Sequence, residues 1–140
     1  MTSHRREQRR GGATGLEPRQ RGVAPASRQR ARAILKAESF KAPRVELIRL
    51  EALEFTSLCP VSGQPDFGRV VIEYVPRSRC VESRSLKSYL WFYRGVGAFC
   101  ETLASDIADD IVFAISPRRL HVEVHQNVRG GITIVATATR

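Results

Sequence analysis

Cys59 and Asp66 stand seven residues apart in Thr56-Ser57-Leu58-Cys59-Pro60-Val61-Ser62-Gly63-Gln64-Pro65-Asp66, a stretch with two prolines and a glycine. Such a stretch is expected to be a loop, and a loop leaves a thiol more accessible than a packed element does. A thiolate attacks electrophilic carbon. A carboxylic acid turned back toward it can protonate the atom that receives the electrons. By itself the pair is weak evidence, because loop cysteines are more often inert than catalytic.

A second cluster is Glu82-Ser83-Arg84-Ser85-Leu86-Lys87. Arg84 and Lys87, three apart, share a face of a helix. Two cations at a helix start oppose its dipole unless an anion such as phosphate joins them; a solvated basic face accounts for them equally well. Glu101 near the start of a later helix suits the dipole without any further role. Arg129 precedes Gly130-Gly131, where either a ligand approach or a plain hairpin explains the glycines. His121 and His125 flank Glu123 on one face of an alternating run. No other ligands accompany them, so an exposed strand face is expected and no metal site.

These residues need elements to hold them. Val45–Glu51 is a short β-rich run, and Gly68–Val75 alternates with Val70, Ile72 and Tyr74 on one face. Glu82–Tyr93 reads as a helix. Phe99, Leu103, Ile107, Ile111 and Ile115 recur every four residues and mark a second helix with a core stripe. Asp106, Asp109 and Asp110 lie off that stripe and read as a solvated face, and Ser116-Pro117 ends the helix. Leu120–His125 and Ile132–Ala138 are the last two strands, with a turn over Asn127–Gly131. Strand, strand, helix, helix, strand, strand predicts an α+β domain: a four-stranded antiparallel sheet with two helices packed on one face.

The chain has 140 residues, room for one domain. The net charge is +9. Residues 1–33 carry nine arginines against two glutamates, so the charge is concentrated in that segment. It holds almost no large apolar side chain and is expected to be a disordered basic tail preceding a domain over 34–140. Contact with RNA by that tail is one reading; a dispensable extension is the other. Three cysteines without an apolar leader argue against a disulfide framework and for the cytoplasm. No run approaches the roughly 18–20 apolar residues of a membrane span.

Taken together, the clusters resemble one family. Glu54–Phe67 closely resembles the nucleophile loop of 7-cyano-7-deazaguanine reductases, the QueF family. Tyr74-Val75-Pro76 and Cys80–Leu90 resemble its cofactor motif, and Phe99, Glu101 and Arg129-Gly130-Gly131-Ile132 also match. The resemblance implies a tunnelling fold (T-fold), two stacked pentameric rings, and active sites at subunit interfaces. It implies that Cys59 attacks the nitrile carbon to give a thioimide and that Asp66 supplies a proton. Glu82, Ser83 and Glu101 would hold the deazapurine base, and Arg84, Lys87 and Arg129 the phosphates of NADPH. Product formation would serve tRNA queuosine biosynthesis. Cys100 stands where the family usually has histidine, Arg84 where it has lysine, and the end at Arg140 lacks the usual Asp-Pro-Tyr segment. Two other readings stay open: an amidine-forming enzyme acting on the same nitrile in tRNA, and a non-catalytic T-fold module.

Overall fold

In the computed structural model, which describes residues 22–140, the elements run as follows. Helix α1 is Arg28–Glu38, followed by β1 (Phe40–Lys41), β2 (Ile48–Leu58), β3 (Pro65–Val75) and β4 (Arg79–Cys80). Helix α2 is Ser83–Phe92, continued by a 3₁₀ turn at Tyr93–Gly95; α3 is Cys100–Ile115, and β5 (Arg119–Arg129) and β6 (Ile132–Thr139) close the chain. The main sheet is antiparallel in the order β2-β3-β5-β6, and β1 pairs with β4 in a small separate ribbon.

The expected four strands are present, and both hairpins are longer than the sequence pattern indicated. A strand needs backbone partners more than alternation, so β2 continues through Leu58 opposite Pro65, and β5 continues to Arg129 opposite Ile132. The connection that holds Cys59 therefore shrinks to residues 59–64.

Val70, Ile72 and Tyr74 of β3 and Leu120, Val122 and Val124 of β5 turn toward the helices and are buried with Leu103, Ile107, Ile111 and Ile115 of α3. The other side of the sheet carries an ion-pair layer. Arg49 bonds Glu73 at 3.1 Å and Glu51 at 3.0 Å, and Glu123 joins His121 at 2.9 Å and His125 at 2.6 Å. Both imidazoles thus engage the glutamate between them.

Three sequence expectations need correction. The first is the boundary at residue 33, which falls inside α1. Ser27 caps this helix through its Oγ, which accepts from Arg30 N at 3.1 Å, and Ala31 and Leu35 are buried. The remainder of the expected basic tail, residues 1–21, with its RNA contact, lies outside the described residues. The second is Asp110, which is fully buried rather than solvated. Its carboxylate accepts from Arg28 Nε at 2.9 Å, Arg28 Nη2 at 3.0 Å and the Tyr89 hydroxyl at 2.6 Å. A buried carboxylate persists only when charge and hydrogen bonds compensate it, and α1 supplies that compensation, so three helices pack where two were expected. The third is Phe99, which caps α3 and is 58% exposed instead of joining the core stripe.

Candidate active site

Cys59 opens the β2–β3 connection. Its N–H donates to the Gln64 carbonyl at 2.8 Å, and its carbonyl accepts from Gly63 N at 2.9 Å. Gly63 sits at φ +72°, where a side chain is strained. The tight turn aims the Ser62 N–H at Cys59 Sγ, 3.5 Å away. The Ser62 hydroxyl, with the Ser62 and Val61 amides and a smaller pull from the Arg129 guanidinium, brings the thiol down to about 7; partial burial opposes this. A thiol near 7 is substantially thiolate at neutral pH.

A second strap fixes the same loop. Leu58 N donates to the Val96 carbonyl at 2.9 Å, and Ala98 N donates to the Leu58 carbonyl at 3.2 Å. Gly97 lies between them, and a β-carbon there would stand 3.3 Å from Pro60 Cα.

Asp66 pairs with Ser57 across the hairpin and is only 4% exposed. Its carboxylate accepts from Gln126 Nε2 at 2.9 Å and from Arg129 Nη1 at 2.5 Å, while Arg129 Nη2 donates to Gln126 Oε1 at 2.8 Å. The carboxylate, amide and guanidinium form a closed set on the ends of β3 and β5. Gly68, opposite Gln126, lets the strands meet: a β-carbon at Gly68 would lie 1.9 Å from the His125 carbonyl oxygen. Asp66 and Gln126 line a narrow crevice with Phe55, Ser57, Cys100 and Val124. Cys100, 3% exposed, donates its thiol to the Val124 carbonyl at 3.3 Å, and burial pushes that thiol up.

Of the sequence-predicted residues, Cys59, Asp66 and Arg129 come together. Glu101 begins α3 beside Cys100 and is exposed. Glu82, Ser83, Arg84 and Lys87 form a separate group at the start of α2. The Glu82 carboxylate caps this helix, accepting from Arg84 N and Ser85 N at 2.8 Å each, and those bonds lower its pKa. Ser83, Arg84 and Lys87 are exposed. Arg84 has one loose partner, Glu38 at 3.7 Å. Two exposed cations on one helix face suit a phosphate group. The guanidinium of Arg129 is instead occupied by Asp66. Gln126 was missed from sequence; its only signal is register with Gly68, which emerges once the strands pair.

The family model described as "QueF-like protein" matches residues 65–140. A protein of Halorhodospira halophila named NADPH-dependent 7-cyano-7-deazaguanine reductase is 50% identical over 98 residues, covering 68% of this chain and 83% of its own. A protein of the same name from an Anaeromyxobacter species is 53% identical over 91 residues, covering 65% and 75%. Among solved structures, the apo archaeosine synthase QueF-Like superimposes with a TM-score of 0.65 at 29% identity, covering 71% of this chain and 95% of that one.

Proposed function

This chain belongs to the QueF-like family, and from that premise we propose that it is an NADPH-dependent 7-cyano-7-deazaguanine reductase with the T-fold, converting the nitrile to an aminomethyl group in tRNA queuosine biosynthesis. The observation that carries the chemistry is the Cys59 thiol at about 7 in a loop tied to the strand that bears Asp66.

The Cys59 thiolate attacks the nitrile carbon. A C–S bond forms, one π pair of the triple bond moves to nitrogen, and a proton arrives there to give the thioimide. The proton that the Cys59 thiol gives up reaches that nitrogen by way of the Asp66 carboxylate, which Gln126 and Arg129 hold in place. Two NADPH bound in turn would each supply one hydride, and the C–S bond would break between the two transfers, returning the Cys59 thiolate and leaving the free amine. Arg84 and Lys87 hold its phosphates, and Arg129 serves to orient Asp66 rather than to bind phosphate. Glu101, Glu82 and Ser83 take the donor edge of the base; the Glu101 carboxylate has no partner among the described residues, and each Glu82 oxygen retains a lone pair.

The site is completed by neighbouring copies in a homo-oligomer, two stacked pentamers in this reading. Both sheet edges, β2 and β6, are long. Strand β6 carries no charge or proline and exposes Ile132 and Val135, so it lacks the usual protection against pairing with another chain. No described helix is long and apolar enough to cross a membrane; we place the enzyme in the cytoplasm.

Likeness to an archaeosine synthase supports a second reading, amidine formation with ammonia on the same nitrile in tRNA. Intact-mass analysis tests the shared step. Incubation with 7-cyano-7-deazaguanine alone adds the whole mass of the base to the protein, and Cys59→Ala abolishes the adduct. An adduct that persists in Cys59→Ala removes Cys59 as nucleophile.

A further inference from the structure

The cations of the described residues divide into two groups. Arg28, Arg32, Arg49, Arg69, Arg84, Arg129 and Arg140 each face a carboxylate within 4 Å. The other ten face none among the described residues: Arg30, Lys36, Lys87 and Arg94, on α1, on α2 or just after it, and a further six, Lys41, Arg44, Arg77, Arg79, Arg118 and Arg119, all exposed. These six also share one end of the molecule. Val75 pairs with Arg119, and Arg118 N donates to the Val75 carbonyl at 2.8 Å. Arg77 Nε reaches the Ser116 carbonyl at 3.3 Å. Lys41 pairs with Arg79, and Ala42 N donates to the Ser78 carbonyl at 2.9 Å. The β3–β4 turn, the α3–β5 turn and the β1 ribbon thus form one continuous cap. The nearest acids in sequence are Glu46, exposed; Glu38, which faces Arg84; Glu82, which caps α2; and Glu73, which is paired with Arg49.

This cap lies at the end of β3 and β5 opposite Cys59 and Asp66: Val75 and Arg119 are at one end of the ladder, Gly68 and Gln126 at the other. It serves neither the nitrile nor the phosphate face of α2. Six uncompensated cations repel one another, which favours an extended anion. Five of the six are arginines, whose planar forks suit phosphodiester oxygens; Arg79 donates through Nε and Nη2 to Ser39 and adds its charge rather than its fork. Beside them Phe40, 47% exposed, offers a ring on which an unpaired base can stack. We infer that this cap is a docking surface for the phosphate backbone of a nucleic acid with an unpaired stretch.

The test is fluorescence anisotropy with the full chain and a labelled RNA stem-loop, with DNA of the same sequence and anionic vesicles as parallel arms. Arg118→Glu/Arg119→Glu is expected to weaken nucleic-acid binding at least roughly tenfold at moderate salt and to lower the slope of log Kd against log salt by about two. Arg118→Glu alone is expected to weaken it more than Arg30→Glu, an equal change in charge on exposed α1. Binding to RNA or DNA with this pattern supports the surface. Four results overturn it: no binding, binding that survives the double reversal, equal losses from Arg118→Glu and Arg30→Glu, or binding to vesicles alone. Circular dichroism confirms that each variant is folded.

Discussion

Arg129 Nη1 donates to Asp66 Oδ1 at 2.5 Å, joining the far end of β5 to the second residue of β3 across 63 residues of sequence. The same guanidinium contributes to holding the Cys59 thiol down. Arg129→Lys keeps the charge and loses the fork. The expected result is a kcat lower by about one to two orders of magnitude with little change in KM for NADPH, since displaced catalytic groups cost on that scale. A raised KM for NADPH at unchanged kcat would instead mark Arg129 as a phosphate ligand. Steady-state kinetics separates the two.

Thiol alkylation of Cys59 is expected to rise with pH about a midpoint near 7, because its lowered pKa puts the thiolate fraction above that value. Ser62→Ala removes the largest lowering contribution while the Val61 and Ser62 amides remain. The midpoint should move up toward the ordinary thiol value of about 8.5, with the rate at pH 7 falling roughly fivefold. Iodoacetamide kinetics across pH 5.5–9.5, a span of about four units around both values, measures it. An unmoved midpoint would contradict the role given to Ser62.

Removing α1's cation leaves the Asp110 charge buried. Arg28→Ala should cost about 3 kcal/mol of stability, the scale of breaking a buried pair from one side. Arg30→Ala, on the exposed side of the same helix, should cost under about 0.5 kcal/mol. Urea denaturation distinguishes them, and equal costs would contradict the structural role of the Arg28–Asp110 pair.

Gly68→Ala should destabilise by roughly 3 kcal/mol or prevent folding, because overpacking against a backbone carbonyl has no cheap relaxation. Gly95→Ala meets no atom within 4 Å and should be tolerated. Thermal unfolding of the two variants compares them directly.

The loop that holds Cys59 was legible from sequence because prolines and Gly63 punctuate it locally. The strands and α3 were legible because alternation and a four-residue apolar repeat are local signals too. Helix α1 was not: only Ala31 and Leu35 mark its buried side, and the rest of its docking is electrostatic, with Arg28 on Asp110 and Arg32 over the Phe113 ring at 4.5 Å. Asp110 read as a surface residue because its partners lie 21 and 82 residues away. Gln126 had no motif; it enters the site only through the pairing of β3 with β5. Arg129 was picked out from its glycine neighbours, but its partner could not be read from them.

NADPH oxidation followed by absorbance, with the full chain and 7-cyano-7-deazaguanine, tests the central claim most directly. The expected result is substrate-dependent loss of NADPH that disappears in Cys59→Ala. A flat trace from the folded protein, with the base still adding to Cys59 by mass, would contradict the reductase and favour amidine formation on RNA.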